Sequence, residues 1–288
     1  MIAAATWQHD YIYTNGIKLH YVTQGEGPLM LMLHGFPEFW YSWRHLIPEF
    51  AKDYKVVALD LRGYNDSDKP SAQSAYVMDE FIKDIEGVIK GFGYSSCVLV
   101  GHDWGGAIAW CFAYAHPEMV EKLIVMNIPH PAKFAAGLTT PQQLLRSSYM
   151  FFFQLPFIPE LQLQLNDYAA IETAFKGMAV DKTAFTEADI NAYKDAAAKR
   201  GALTAMLNYY RNIFQHGLIN RSWGVLDVPT LMIWGESDTA LGKELTYGTE
   251  TFVKDFQIKY IPNCSHWVQQ EQPQLVIQYM REWLMGNG

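Results

Sequence analysis

Positive charge is scarce in this chain: 22 lysines and arginines face 30 aspartates and glutamates, leaving a formal charge of −8. Such a surface has no electrostatic reason to approach nucleic-acid phosphates or anionic lipid, so neither is expected as a partner. Long hydrophobic runs are missing too, since none reaches the roughly 18 apolar residues of a membrane-crossing helix. The opening M-I-A-A-A-T-W-Q-H-D lacks the basic and apolar regions of a secretory leader, and the expected setting is cytoplasmic. Cysteine is sparse. Cys97, Cys111 and Cys264 form neither an even set nor a C-x-x-C pair, which predicts reduced, packed thiols. Internal repeats and low-complexity stretches are also lacking.

What is present is a core. Half of the 288 residues are hydrophobic and 18% are charged, enough for one sizeable packed domain with an inserted subdomain but not for a second enzyme. Residues 11–23 alternate apolar and polar around Asn15-Gly16, the pattern of a tight hairpin. Segments 29–33, 55–59, 97–101, 123–127 and 230–235 are nearly continuous apolar runs, as in parallel strands covered on both faces. Helical patterns at 76–90 and 105–116 alternate with them, so the fold class is α/β with a mostly parallel sheet flanked by helices. From Pro129 to about Trp223 strand signals stop, and helix-like stretches are punctuated by Pro141, Pro156, Pro159 and Gly177. One opens with Thr186-Glu187-Ala188-Asp189, a capping-box-like start. The expected organisation is a core in two parts, 1–130 and 224–288, with a helical cap inserted at 131–223 and a closing helix near 272–284.

The chemistry concentrates at a strand end. The apolar run Cys97-Val98-Leu99-Val100 leads into Gly101-His102-Asp103-Trp104-Gly105-Gly106 and then a helix, matching the G-x-nucleophile-x-G elbow in which glycines permit a strained turn. By itself the turn leaves two readings open, because Asp103 also suits a helix cap. As a nucleophile, a carboxylate is already ionised at neutral pH and suits attack on saturated carbon. The product is an alkyl ester whose carbonyl water can then attack. The substrate must carry a leaving group on an electrophilic carbon, an epoxide oxygen or a halide.

Two further positions fit a triad. Thr230–Gly235 is followed by Glu236-Ser237-Asp238, an acid at the strand end where catalytic groups gather in parallel sheets. After the expected strand 258–261, the loop Pro262-Asn263-Cys264-Ser265-His266-Trp267 presents a histidine. The order nucleophile, acid, base is that of α/β-hydrolases, with Asp238 orienting His266 as base for water. Glu236 and Asp255 compete for the acid's place. His34-Gly35-Phe36-Pro37 follows strand 29–33, where backbone N–H groups of Phe36 and Trp104 are expected to hold oxyanion charge. His34 and His102 lack a third ligand at metal spacing, so no metal or other cofactor is expected.

These residues resemble the soluble epoxide hydrolases of the α/β-hydrolase superfamily: H-G-F-P-E at 34–38, Y-S-W-R at 41–44, D-L-R-G-Y at 60–64 and G-H-D-W-G-G at 101–106. The resemblance extends over roughly 11–284. Within the expected cap, Tyr149-Met150-Phe151-Phe152-Phe153-Gln154 is similar to the family's Y-x-x-x-F-Q segment, and Asn208-Tyr209-Tyr210-Arg211 to its second tyrosine motif. The resemblance implies that Tyr149 and Tyr210, rather than Tyr209, bond the epoxide oxygen. An opening ring needs such a neutral donor, because an alkoxide leaves poorly. His34, Pro37, Trp104, Phe153 and Trp267 are expected to touch a small apolar epoxide. Phe151, Phe152 and Phe157 add to the apolar character of the cap, mostly as packing. Asn65 stands where the family often has glycine and is expected to keep the same turn, since Asn tolerates positive φ.

Two rivals remain. A haloalkane or haloacetate dehalogenase shares the Asp nucleophile and fold, but Phe36 replaces the Asn that binds halide in some haloalkane enzymes, and no Arg follows Asp103. A binding protein on a hydrolase scaffold would have no need of Asp103, Asp238, His266 and two placed tyrosines. Either a monomer or a homodimer is compatible with the sequence.

Overall fold

The computed structural model describes residues 7–213 and 222–286. The opening hexapeptide and residues 214–221 of the expected cap lie outside the described residues. β1 (Gln8–Thr14) and β2 (Ile17–Gln24) pair antiparallel through Asn15 and Gly16, whose φ values of 48° and 74° make the tight turn. There follow β3 (Leu29–Leu33), β4 (Lys55–Leu59), β5 (Cys97–His102), β6 (Val120–Met126), β7 (Thr230–Gly235) and β8 (Phe256–Ile261). The eight strands are ordered β1-β2-β4-β3-β5-β6-β7-β8, and every pairing from β4 to β8 is parallel. β3, β5 and β7 are buried at every residue, as their nearly continuous apolar sequences require of strands covered on both faces.

The observed β6 begins three residues before the expected strand because Glu121 and Lys122 interrupt its apolar run. Lys122 is accommodated against the closing helix, with its ammonium over the Trp283 ring and donating to the Leu284 carbonyl.

The helices are α1 (Ile47–Phe50), α2 (Met78–Gly91), α3 (Asp103–Ala115), α4 (Pro131–Gly137), α5 (Pro141–Arg146), α6 (Ser148–Phe152), α7 (Ile158–Glu172), α8 (Glu187–Ala198), α9 (Ala202–Asn212), α10 (Val268–Glu271) and α11 (Pro273–Met285). Among the described residues, only helices and turns lie between Pro131 and Asn212. Thr186 and Asp189 form a reciprocal capping box at the start of α8. Asn65 has φ 39° and turns the chain as expected, while its amide also donates to Asp60 Oδ2 at 2.7 Å.

Strand order locates the site. β4 lies on one side of β3 and β5 on the other, so the connections diverge and leave a crevice beyond the carboxyl ends of β3 and β5. The residues that emerge there are His34–Pro37 from β3 and Asp103 from β5.

Candidate active site

β5 ends with His102 in extended conformation (φ −118°), and Asp103 then takes φ 49° before α3 continues. His102 occupies the capping position of α3, so the Asp103 carboxylate is not used as a cap. The bend holds only with glycines at its close approaches. A Cβ on Gly105 would stand 2.1 Å from the Leu33 carbonyl oxygen, and one on Gly35 2.4 Å from Asp103 Cβ. The turn after β3 therefore lies directly against Asp103, and the Phe36 N–H donates to Asp103 Oδ1 at 2.9 Å. Oδ2 faces His266 Nε2 at 3.5 Å.

On the other side of that ring, His266 Nδ1 meets Asp238 Oδ2 at 2.7 Å. Oδ1 of Asp238 accepts the N–H groups of Ala240 and Leu241 at 2.8 and 2.9 Å, the turn leaving β7. The competing acids are elsewhere: Glu236 pairs with Lys243, and Asp255 sits at the amino end of β8, its carbonyl accepting from Thr230 N–H. Burial opposes charge on His266, but Asp238 and Asp103 outweigh it and hold its pKa well above the ordinary 6.5. Burial likewise opposes charge on Asp103, yet the hydrogen bond and charge of His266, the charge of His102 and the Phe36 N–H together hold it below 3.8. Both shifts favour an aspartate facing an imidazolium.

His102 is wholly buried beside this pair. Its Nδ1 lies 2.7 Å from Glu38 Oε2 and its Nε2 2.9 Å from the His266 carbonyl oxygen. Glu38 also receives Gly35 N–H at 2.8 Å and the amides of Gln269 and Gln270 at 2.9 and 2.8 Å. His34 departs from its expected contact with substrate. It is fully buried, bonding the Gly35 carbonyl through Nδ1 and accepting Leu61 N–H at Nε2, and so braces the turn without lining the cavity.

A cavity of about 310 Å³ opens on Asp103 and His266 and is lined by Phe36, Pro37, Phe153 and Trp267. A second, apolar recess lies against Asp103 and Trp104, flanked by Met150, Phe134 and Leu241. Tyr149 and Tyr210 line both, so the two hydroxyl-bearing rings stand at the junction with Asp103. Tyr210 is fixed among the rings of Phe36, Trp104, Tyr149 and Phe153, with centroids 5.1–5.7 Å away. Burial, then the nearby Asp103 charge, pushes the Tyr149 phenol well above its ordinary range, with a hydrogen bond to Tyr210 pulling back. Burial, then Tyr149 and Asp103, does the same to Tyr210. Tyr209 faces away and donates to the Arg62 carbonyl at 2.6 Å. Phe151 and Phe157 are exposed, at 48% and 77%, and do not form the pocket.

The sequence profile of the alpha/beta hydrolase fold matches residues 28–273. "Epoxide hydrolase 4" of Mus musculus is 45% identical over 273 residues, covering 92% of this chain and 76% of its own. "AB hydrolase superfamily protein YfhM" of Bacillus subtilis is 43% identical, covering 96% of this chain and 98% of its own. The crystal structure of a Bacillus megaterium epoxide hydrolase with an inhibitor superposes with TM-score 0.90 at 41% identity, over 96% of this chain and 100% of that one. The chain belongs to the epoxide hydrolases of the α/β-hydrolase fold.

One residue that shapes this hydrolase's site lies outside every motif of the sequence. Asn127, just beyond β6, donates to Asp238 Oδ2 at 2.7 Å and accepts the Gly235 N–H. The two tyrosine segments are stitched together by the residues that close their motifs. Gln154 donates to the carbonyls of Met150 and Tyr210, and Arg211 to that of Phe153. Arg211 also forks onto Glu160 at 2.9 and 3.0 Å. The motif positions Gln154 and Arg211 were the available signal; their polar ends in an apolar setting called for partners.

Proposed function

We propose that this hydrolase converts epoxides to vicinal diols through an alkyl ester on Asp103, with the helical segment around α4–α9 serving as the cap over the site. The carrying observation is the division of labour at one carboxylate that lines the cavity: Oδ1 is held by Phe36 N–H at 2.9 Å while Oδ2 lies 3.5 Å from His266 Nε2. Oδ2 attacks a ring carbon, its C–O bond to the epoxide oxygen breaks, and Tyr149 and Tyr210 hydrogen-bond the departing oxygen while one transfers its proton. Esterification removes the Asp103 charge that helps hold His266 protonated; once its proton has passed to solvent, neutral His266 removes a proton from water, whose oxygen adds to the ester carbonyl carbon. Charge developing on Oδ1 is held by the Phe36 N–H, with Trp104 N–H as the expected second donor. Collapse expels the alkyl oxygen, and the two water protons end on that oxygen and back on the tyrosine, so epoxide plus water gives diol. Pro37, Phe153, Trp104 and Trp267 present apolar surface, and a small apolar epoxide is the substrate class. Three buried thiols support the expected cytoplasmic setting.

The test is a single turnover in heavy-oxygen water followed by mass spectrometry of the peptide holding Asp103. Label in the Asp103 carboxylate is the expected result. Diol carrying the label, with none in Asp103, would show direct attack by water. Assaying halide release from chloroalkanes beside diol formation separates the dehalogenase reading.

A further inference from the structure

The Y-S-W-R segment takes no part in the mechanism above, yet its arginine is 7% exposed and both terminal guanidinium nitrogens have partners. Arg44 lies over the Tyr41 ring, with Cζ 4.5 Å from the centroid. One guanidinium nitrogen donates to Gln270 Oε1 at 2.7 Å, and another lies 3.2 Å from Asp189 Oδ1, the capping-box carboxylate of α8. Tyr41 hydroxyl donates to that same Asp189 oxygen at 3.0 Å, and Tyr193 of α8 donates to Gln270 Oε1 at 2.6 Å.

These contacts have a direction. Arginine has donors only, so Gln270 must present its oxygen to Arg44 and its N–H to the other side, where Glu38 Oε1 accepts it at 2.8 Å. Gln269 reaches Glu38 too, but its own oxygen is buried without a hydrogen-bond partner among the described residues, so nothing anchors its orientation comparably. The other oxygen of Glu38 holds Gly35 N–H at 2.8 Å, one peptide from the N–H that holds Asp103. A buried polar path thus runs from α8 through Arg44, Gln270 and Glu38 to the turn carrying Phe36.

We propose that Arg44 is a positioning residue that, by orienting the Gln270 amide toward Glu38, couples the seating of α8 to the Gly35–Phe36 turn and so to hydrolysis of the ester on Asp103. The inference rests on the reading of Asp103 as nucleophile. The two chemical steps respond differently. During alkylation Asp103 loses negative charge and needs Phe36 N–H little; during hydrolysis charge returns to Oδ1 and the donor must be in place.

The experiment compares wild type with Arg44→Met, Arg44→Lys and Gln270→Met by rapid mixing with an epoxide, quantifying alkyl-enzyme by mass. Arg44→Met and Gln270→Met are expected to slow ester hydrolysis about tenfold, the scale of one weakened hydrogen bond at developing charge. Alkylation changes little, ester accumulates, and KM falls together with kcat. Arg44→Lys restores part of the hydrolysis rate. Hydrogen exchange adds a readout independent of turnover: the Gly35 amide exchanges faster in Arg44→Met, relative to amides of β5. Both steps slowing equally, or hydrolysis unchanged in folded protein, overturns the proposal. If wild type forms no alkyl-enzyme, the Asp103 reading fails instead, and the Gly35 exchange then decides: unchanged protection overturns the coupling, faster exchange upholds it.

Discussion

Asn127 donates to Asp238 Oδ2 at 2.7 Å, the same oxygen that the His266 ring reaches at 2.7 Å. The other oxygen of Asp238 takes two backbone N–H groups, so the acid cannot rotate without breaking four bonds. Asn127 has φ 42° and also accepts the Gly235 N–H at 2.9 Å, which locks the end of β7 to the end of β6. His266 is therefore aimed by two adjacent strands.

Asn127→Ala is expected to leave Gly235 N–H and one Asp238 lone pair unmet inside the core, costing about 1–3 kcal/mol. Catalysis should fall about tenfold, mainly in ester hydrolysis, because a loosened Asp238 holds the imidazole less well. Thermal unfolding and the rate of ester decay measure the two effects. Intact hydrolysis in a destabilised Asn127→Ala would reduce Asn127 to a structural strut.

For the tyrosines, the shared junction predicts redundancy. Tyr149→Phe and Tyr210→Phe each remove one donor and should slow alkylation about tenfold, whereas the double variant should lose on the order of 10²–10⁴, the range of general acid catalysis. Tyr209→Phe, which loses only its bond to the Arg62 carbonyl, should cost stability and leave the alkylation rate alone. Single-turnover alkylation distinguishes these, and a double variant that still alkylates rapidly would remove the tyrosines from the chemistry.

The strands were legible because β3, β5 and β7 are nearly all apolar and both faces are covered; the ends blurred where Glu121 and Lys122 put charge just after the start of β6. The elbow and the His266 loop were legible because backbone strain and strand ends restrict which residues fit. The supporting polar shell was not. Asn127, Gln270 and Glu38 act through residues far away in sequence, 111 positions in the case of Asn127 and Asp238, and no local pattern marks such a partner. His34 shows the converse error: its motif place beside the crevice suggested substrate, but both ring nitrogens serve backbone groups.

Glycine at 105 offers a sharp test of the elbow. A Cβ there would approach the Leu33 oxygen to 2.1 Å, and the obstacle is backbone, which cannot rotate away. Gly105→Ala is expected to destabilise by more than about 4 kcal/mol, in the exceptional range for a point substitution. Gly224, with open space around its Cβ position and no positive φ, should tolerate Ala within about 0.5 kcal/mol. Chemical denaturation of the pair checks the contrast, and equal midpoints would contradict the packing of α3 against β3.

The resting ion pair makes pH act oppositely on stability and on turnover. His266 has its folded pKa raised, so its contribution to stability is complete below 6.5 and fades as pH rises through the raised value. Asp103 has its folded pKa lowered, so its contribution is complete above 3.8 and fades as pH falls. Both are complete together only in the mildly acidic window between those two values. Ester hydrolysis, by contrast, needs neutral His266 and should accelerate as pH rises. Alkylation helps, because an esterified Asp103 is uncharged and one of the two anions holding the imidazolium is gone. The hydrolysis profile should therefore reach its plateau at lower pH than the His266 titration of the free enzyme, and Asp103→Asn should shift that titration downward. Imidazole NMR of both proteins, set beside the pH dependence of ester decay, provides the measurement. Identical His266 titrations in wild type and Asp103→Asn would mean that Asp238 alone sets the charge of the base, and that alkylation does nothing to release its proton.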